Sequence, residues 1–330
     1  MISLTFMPFF FTHLIACQDS LESKISSDTH LENVDTALDT GLFVEEQQSV
    51  YSFSFIVLAD PHIIGTSDHR QRLHSAVDWI NEQVQQNDKN IDLVLVVGDV
   101  GWGDGLYPSV EELDRLLIPY VPIIGDNEVS YGSQFEFEIA FEESWQRLTE
   151  EFEDFESQIG ETYNTELDIQ SSFYNVAFTY KNIRFICADW ASRESGPILS
   201  EIGYLHDFAG GTWPWFEQQI LQSAGSSENS VVIASHIPMI LAPGGFAMDE
   251  MDQISEITLP YTKEIFANFS GHFHANAEID DGELDVFITD ATWDDEVTLR
   301  VIDVYQNDYS VQYEQKLEVI PYMIEESMEE

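Results

Sequence analysis

Four apolar runs, far apart along 330 residues, each end on residue types that bind metal ions: Asp60-Pro61-His62, Gly98-Asp99, Ser235-His236 and Gly271-His272-Phe273-His274. The run over 93–97 is continuous rather than alternating, the pattern of a strand covered on both faces. A strand delivers the residues after its last rung to a fixed place at the sheet edge. Such strands side by side aim carboxylates and imidazoles at one point outside their carboxyl ends. That donor set suits a pair of divalent cations, and a metal pair is a device for attacking phosphate esters.

Between these points strand and helix alternate. The patterns predict strands over 53–59, 93–97 and 120–124, and a helix over 70–86 that aligns Leu73, Val77, Ile80 and Val84. Ser109 followed by Glu112 has capping-box spacing and predicts a helix over 109–117. Phe137, Phe141, Trp145, Leu148, Phe152 and Phe155 keep helical spacing, predicting one long helix over 133–157 whose aromatic stripe packs in the core. Runs over 173–180 and 183–188 form a hairpin about Lys181-Asn182. A helix over 213–223 and strands over 231–234, 265–269, 285–288, 297–305 and 310–313 complete the pattern, which is that of an α/β fold.

The ends differ from the middle. Residues 1–16 are mostly apolar and carry no acid, Lys or Arg, too short a stretch to span a bilayer, and read as a signal peptide. Leu14-Ile15-Ala16-Cys17 resembles the bacterial lipobox, which implies lipidation of Cys17, secretion across the inner membrane and anchorage at the cell envelope. Residues 17–50 read as an acidic tether, 51–318 as one folded domain and 319–330 as an acidic tail. Cys187, the only other cysteine, falls on an apolar strand and suggests neither a disulfide nor a thiolate site.

Charge narrows the partners. Lys and Arg number 12 against 61 Asp and Glu, a formal net charge of −49. Residues 18–50 hold eight acids and one lysine, so −42 remains on the rest. Such a surface disfavours nucleic acid and suits an environment where salt screens self-repulsion. The hydrophobic fraction of 44% is nevertheless ample for a core.

Taken in order, Asp60-Pro61-His62, Gly98-Asp99, Gly125-Asp126-Asn127-Glu128, His236 and Gly271-His272-Phe273-His274 resemble the motif series of the calcineurin-like metallophosphoesterases, over about residues 52–315. The resemblance implies a four-layer α/β/β/α sandwich. It implies a first metal held by Asp60, His62 and His274, a bridging Asp99, and a second metal held by Asp126, His236 and His272. Mn, Fe or Zn would suit these donors, and a hydroxide bridging the metals would hydrolyse a phosphate mono- or diester. Asp-x-His at the first motif, with no Tyr ligand after Gly98-Asp99, is unlike purple acid phosphatases.

The third motif departs from the family pattern. Asp126 stands where the family has Asn, and Asn127 where it has a His thought to protonate the leaving group. An amide is no general acid. Three alternatives follow: a good leaving group, a proton from metal-bound water or from His69, His74 or His206, or a catalytically degenerate metal-binding lipoprotein. Glu128 is placed to orient its neighbours, Trp102 and Asp104 to line the pocket, and Arg70, Arg72 and Arg193 are the nearest cations. Gly101, Gly103 and Gly105 lack the spacing of a nucleotide loop, and the acidic runs 249–252 and 294–296 lack that of a calcium loop.

Overall fold

The structure is a computed structural model that describes residues 49–322, apart from 66, 87–89, 153, 195–200, 225–229, 281–283, 295 and 308–309. The expected signal peptide, most of the tether, Cys17 and residues 323–330 lie outside the described residues.

Strands β1 (Val50–Leu58), β2 (Ile91–Val97) and β3 (Tyr120–Ile123) run parallel, and β11 (Val297–Gln306) and β12 (Val311–Ile320) extend their sheet antiparallel beyond β1. A second sheet runs in the order β4 (Glu156–Asn164), β5 (Ile169–Tyr180), β6 (Ile183–Ala188), β7 (Ser230–Ser235), β8 (Ile265–Ser270), β10 (Val286–Ile288) and β9 (Ala277–Ile279). Within it β6, β7, β8 and β10 are parallel.

The sheets meet through aromatic rings. Phe55 of β1 stands edge-on to Phe185 of β6 at 5.4 Å and to Phe269 of β8 at 5.5 Å. Each such buried ring contributes about 1.5–3 kcal/mol by leaving water. On the outer face of the first sheet, α1 (Ser67–Gln86) lies against β2, β11 and β12 with Leu73, Val77 and Ile80 buried. On the outer face of the second, α6 (Thr212–Ser223) covers β5, β6 and β7 with Phe216 and Ile220, and α7 (Met248–Thr258) packs beside it. The layer order is α/β/β/α, as the motif resemblance implies.

Local departures have physical reasons. The stretch expected as one helix is three elements: α4 (Gln134–Ala140), α5 (Glu142–Glu151) and then β4. Phe141, at φ −102 and ψ 14, interrupts the helix, yet Phe137, Phe141, Trp145, Leu148 and Phe152 are all buried. Ser109 is not a cap. Helix α2 (Leu106–Leu113) begins earlier, and the Ser109 hydroxyl bonds back to the carbonyl of Leu106 at 2.6 Å. Lys181 and Asn182 take φ 45 and 63, the left-handed pair of a two-residue hairpin turn. Strand β12 continues well past residue 313, to Ile320.

Candidate metal centre

The carboxyl ends of β1, β2, β7 and β8 converge where the sheets meet. Two backbone links fix this edge: Asp60 N–H donates to Gly98 O at 3.3 Å, and Gly271 N–H to His236 O at 3.2 Å. Short helix α3 (Asp126–Ser130) follows β3 and brings Asp126 and Asn127 to the same edge.

Seven side chains gather there in two groups: Asp60, His62, Asp99 and His274, and beside them Asp126, His236 and His272. Within each group the donor atoms lie within 4.8 Å of one another. Asp60 Oδ1 stands 3.5 Å from Nε2 of both His62 and His274. Asp60 Oδ1 and His62 Nε2 are buried and have no hydrogen-bond partner. Donors each about 2.1 Å from one ion stand roughly 3–3.5 Å apart, so these orphaned atoms fit a shared cation better than they fit each other. In the second group Asp126 Oδ1 is 2.8 Å from His236 Nε2 and 3.0 Å from His272 Nδ1.

Asp99 faces both groups. Its Oδ2 lies 3.1 Å from His62 Nε2, and its Oδ1 lies 3.5 Å from His236 Nε2. His236 Nδ1–H donates to Val97 O at 2.9 Å, which leaves Nε2 with its lone pair for a ligand.

The backbone is bent to make this arrangement. Asp60, His62, Asp99, His272 and His274 all have positive φ, between 47° and 71°. Non-glycine residues in sparsely populated backbone regions cost on the order of 1–3 kcal/mol each and mark functional sites. Two glycines make room. At Gly98, φ +83, a Cβ would lie 2.4 Å from His236 Nδ1, and at Gly271 one would lie 2.3 Å from Asp60 Oδ2.

Burial opposes charge here, yet the ion partners win. Burial alone would raise Asp60, but His274, His62 and His236 hold it at about 2. Burial would lower His62, but Asp60 and Asp99 carry it to about 9. His236 is raised well above its usual value and Asp126 is lowered, for the same reciprocal reason. These protons occupy the lone pairs a cation would take, so metal uptake would release them.

Glu128 is the joint behind the ligands. Its Oε1 accepts from Gly101 N–H at 2.9 Å and its Oε2 from Gly125 N–H at 2.7 Å, tying the loops after β2 and β3 together. Burial and the Asp99 charge push this carboxyl up to about 8.

Other residues singled out from the sequence are distributed unevenly. His69 lies close by, donating from Nδ1 to His62 O at 2.6 Å, with its ring 5.3 Å from Trp293. His74 belongs to an ion network with Glu112 and Asp78 on the flank. His206 is buried against Phe173 and donates to Ala191 O at 3.0 Å. The three arginines are engaged elsewhere: Arg70 with Glu111 and Glu112, Arg72 with Asp68, Arg193 with Asp189. Trp102 does line the site, edge-on to His62 at 5.1 Å, whereas Asp104 is exposed. Trp293, stacked on His62 at 5.4 Å, was not foreseen, because a lone Trp after a strand carries no motif.

A four-layer sandwich with carboxylates and imidazoles at its converging strand ends defines the metallophosphoesterase class. The calcineurin-like phosphoesterase family model matches residues 53–276, and the chain belongs to that family. Among solved structures, it is similar to a candidate 5'-nucleotidase from Staphylococcus aureus in complex with alpha-ketoglutarate, at 14% identity and TM-score 0.49, covering 82% of this chain and 54% of that one. The chain thus spans about half the length of the Staphylococcus aureus protein. TT1561 of Thermus thermophilus gives 9% identity and TM-score 0.43 over 79% of this chain and 98% of that one. Phosphopantetheinyl hydrolase from Mycobacterium tuberculosis gives 11% and 0.36 over 72% and 90%. No curated protein sequence matches.

Proposed function

We propose that the chain is a phosphoesterase dependent on two metal ions, hydrolysing a phosphate mono- or diester at the cluster described above. The observation that carries this is Asp99, whose two oxygens face two separate donor groups. Asp60, His62 and His274 would hold one ion, Asp126, His236 and His272 the other, with Asp99 between them. Such ions supply Lewis acidity toward phosphoryl oxygens and lower the pKa of water to yield a nucleophile. The protein's own share is to fix seven ligands, to bind the loops through Glu128, and to keep apolar walls about the site. Asn127 holds Asp99 in place but cannot give a proton to the leaving oxygen.

Asn127 also favours a second reading, a metal-binding protein without turnover. Metal analysis after manganese or zinc loading, with hydrolysis of p-nitrophenyl phosphate and its bis ester by wild type and Asp99→Ala, separates the two. Stoichiometric uptake with Asp99-dependent turnover supports the enzyme; uptake without turnover leaves the binding protein; no uptake refutes both.

Attachment through a lipid on Cys17, placing the domain at the cell envelope, completes the proposal. It rests on Leu14-Ile15-Ala16-Cys17. Among the described residues no helix is long and apolar enough to cross a membrane. Radiolabelled palmitate entering wild type but not Cys17→Ala in a bacterial host checks it; equal labelling would refute it.

A further inference from the structure

We propose that Tyr131 and Trp102 form an aromatic platform for the leaving group, so that the substrate is a phosphate ester of an aromatic, phenol-like alcohol; this rests on the phosphoesterase reading and names its substrate class.

Trp102 stands edge-on to the ligand His62 at 5.1 Å, and its indole stacks on the Tyr131 ring at 5.2 Å with planes 8° apart. One face of Tyr131 is thereby taken, yet 65% of the residue is exposed, so the opposite face is open. The pair is held in place: Gly103 N–H donates to Ser133 Oγ at 2.9 Å, joining the loop of Trp102 to the turn after Tyr131. Its position relative to the chemistry is set by α3. Tyr131 N–H donates to Asn127 O at 3.0 Å, which puts the two residues one helical turn apart on one face. Asn127 in turn bonds both oxygens of Asp99. A group leaving past Asn127 meets the open ring of Tyr131 within one turn.

The same geometry accounts for the missing acid. In hydrolysis of an aryl ester, water's oxygen forms the new P–O bond as the P–O(aryl) bond breaks. The aryl oxygen departs with the bonding pair as a phenoxide, stabilised by its ring. Solvent then protonates it, and water's surplus proton goes to solvent or to the phosphate. No donor at position 127 is needed. An alkoxide from a simple alcohol is far more basic and would need one.

The test uses metal-loaded protein and two readouts. Calorimetry compares phenylphosphonate with cyclohexylphosphonate, and kinetics compares phenyl phosphate with a fluoroalkyl phosphate of matched leaving-group acidity. Wild type should prefer the aromatic member of each pair by about tenfold, Tyr131→Phe should keep that preference, and Tyr131→Leu should bring it within about twofold. Equal binding of both phosphonates by wild type, or a preference untouched in Tyr131→Leu, overturns the platform. Ring-selective binding without any Asp99-dependent hydrolysis sinks the enzyme reading and the substrate assignment but leaves the ring site. Turnover without ring selectivity sinks the platform alone, and a metal-loaded protein that binds neither phosphonate and hydrolyses neither ester sinks both.

Discussion

Asn127 grips Asp99 twice: its backbone N–H donates to Oδ1 at 2.9 Å and its side-chain amide donates to Oδ2. At the position where the motif resemblance implies a leaving-group acid stands a clamp on Asp99, the carboxylate that faces both donor groups. Catalysis without an acid should depend steeply on leaving-group acidity. Asn127→His should flatten that dependence and raise turnover of a poor-leaving-group alkyl ester by roughly 10²–10⁴. Rates across a series of substituted aryl and alkyl esters check this; a flat wild-type series would show that another group donates.

Metal removal should destabilise the fold, because left-handed ligand residues and unpartnered donors remain without their ion. Saturation at about 100 times Kd is worth about 2.7 kcal/mol, or a rise of roughly 5 °C in Tm for a domain of this size. Thermal melts with a chelator and with manganese measure it. Asp99→Ala should lose most of the response.

Glu128→Gln should cost about 1–3 kcal/mol, since one amide N–H must then confront the N–H of Gly101 or Gly125. Urea denaturation of the metal-free protein at about pH 9, where the carboxyl is ionised and both oxygens accept, reads the loss directly. A neutral substitution would mean that the two loops need no tie.

His206 supplies a pH prediction. Burial, helped by the Arg193 charge, lowers it from its ordinary 6.5 to about 3. Below pH 6.5 the unfolded chain therefore takes up a proton that the folded chain refuses, and stability falls as pH drops toward 3. His206→Asn, which tolerates the φ of 54, abolishes that uptake. The stability gap between wild type and variant should narrow by about 1.4 kcal/mol for each unit of acidification between these limits. A gap constant from pH 7 to pH 4 would contradict it.

Salt should stabilise the domain. With 61 acids against 12 bases, repulsion acts throughout the surface, and 1 M salt shortens its reach to about 3 Å. Tm should climb through molar NaCl, and a level or falling Tm would rule out adaptation to saline surroundings.

The apolar strands and the donor motifs were legible because each feature is local: a run of buried residues, then a turn with Asp or His. What escaped was decided by partners distant in sequence. Strand β4 reads Glu-Ser-Gln-Ile-Gly-Glu-Thr-Tyr-Asn, with no apolar face of its own, and is a strand because β5 pairs with it. The aromatic spacing that runs from Phe137 to Phe152 survives the break at Phe141, so periodicity alone sees one helix where packing makes two. Ser109 has the spacing of a cap, but Leu106 is already buried in the helix. Around the site, the ligand motifs are continuous short strings, whereas Trp102 meets Tyr131, and Trp293 meets His62, only in three dimensions.

The hydrogen bond from His236 to Val97 bridges residues 139 positions apart, one directly after β7 of the second sheet and the other the last residue of β2 in the first. Each donor group likewise mixes the two stretches, Asp60, His62 and Asp99 with His274, and Asp126 with His236 and His272, so neither half of the polypeptide holds a complete group by itself. A full donor set for a cation would then exist only once both layers have closed on each other.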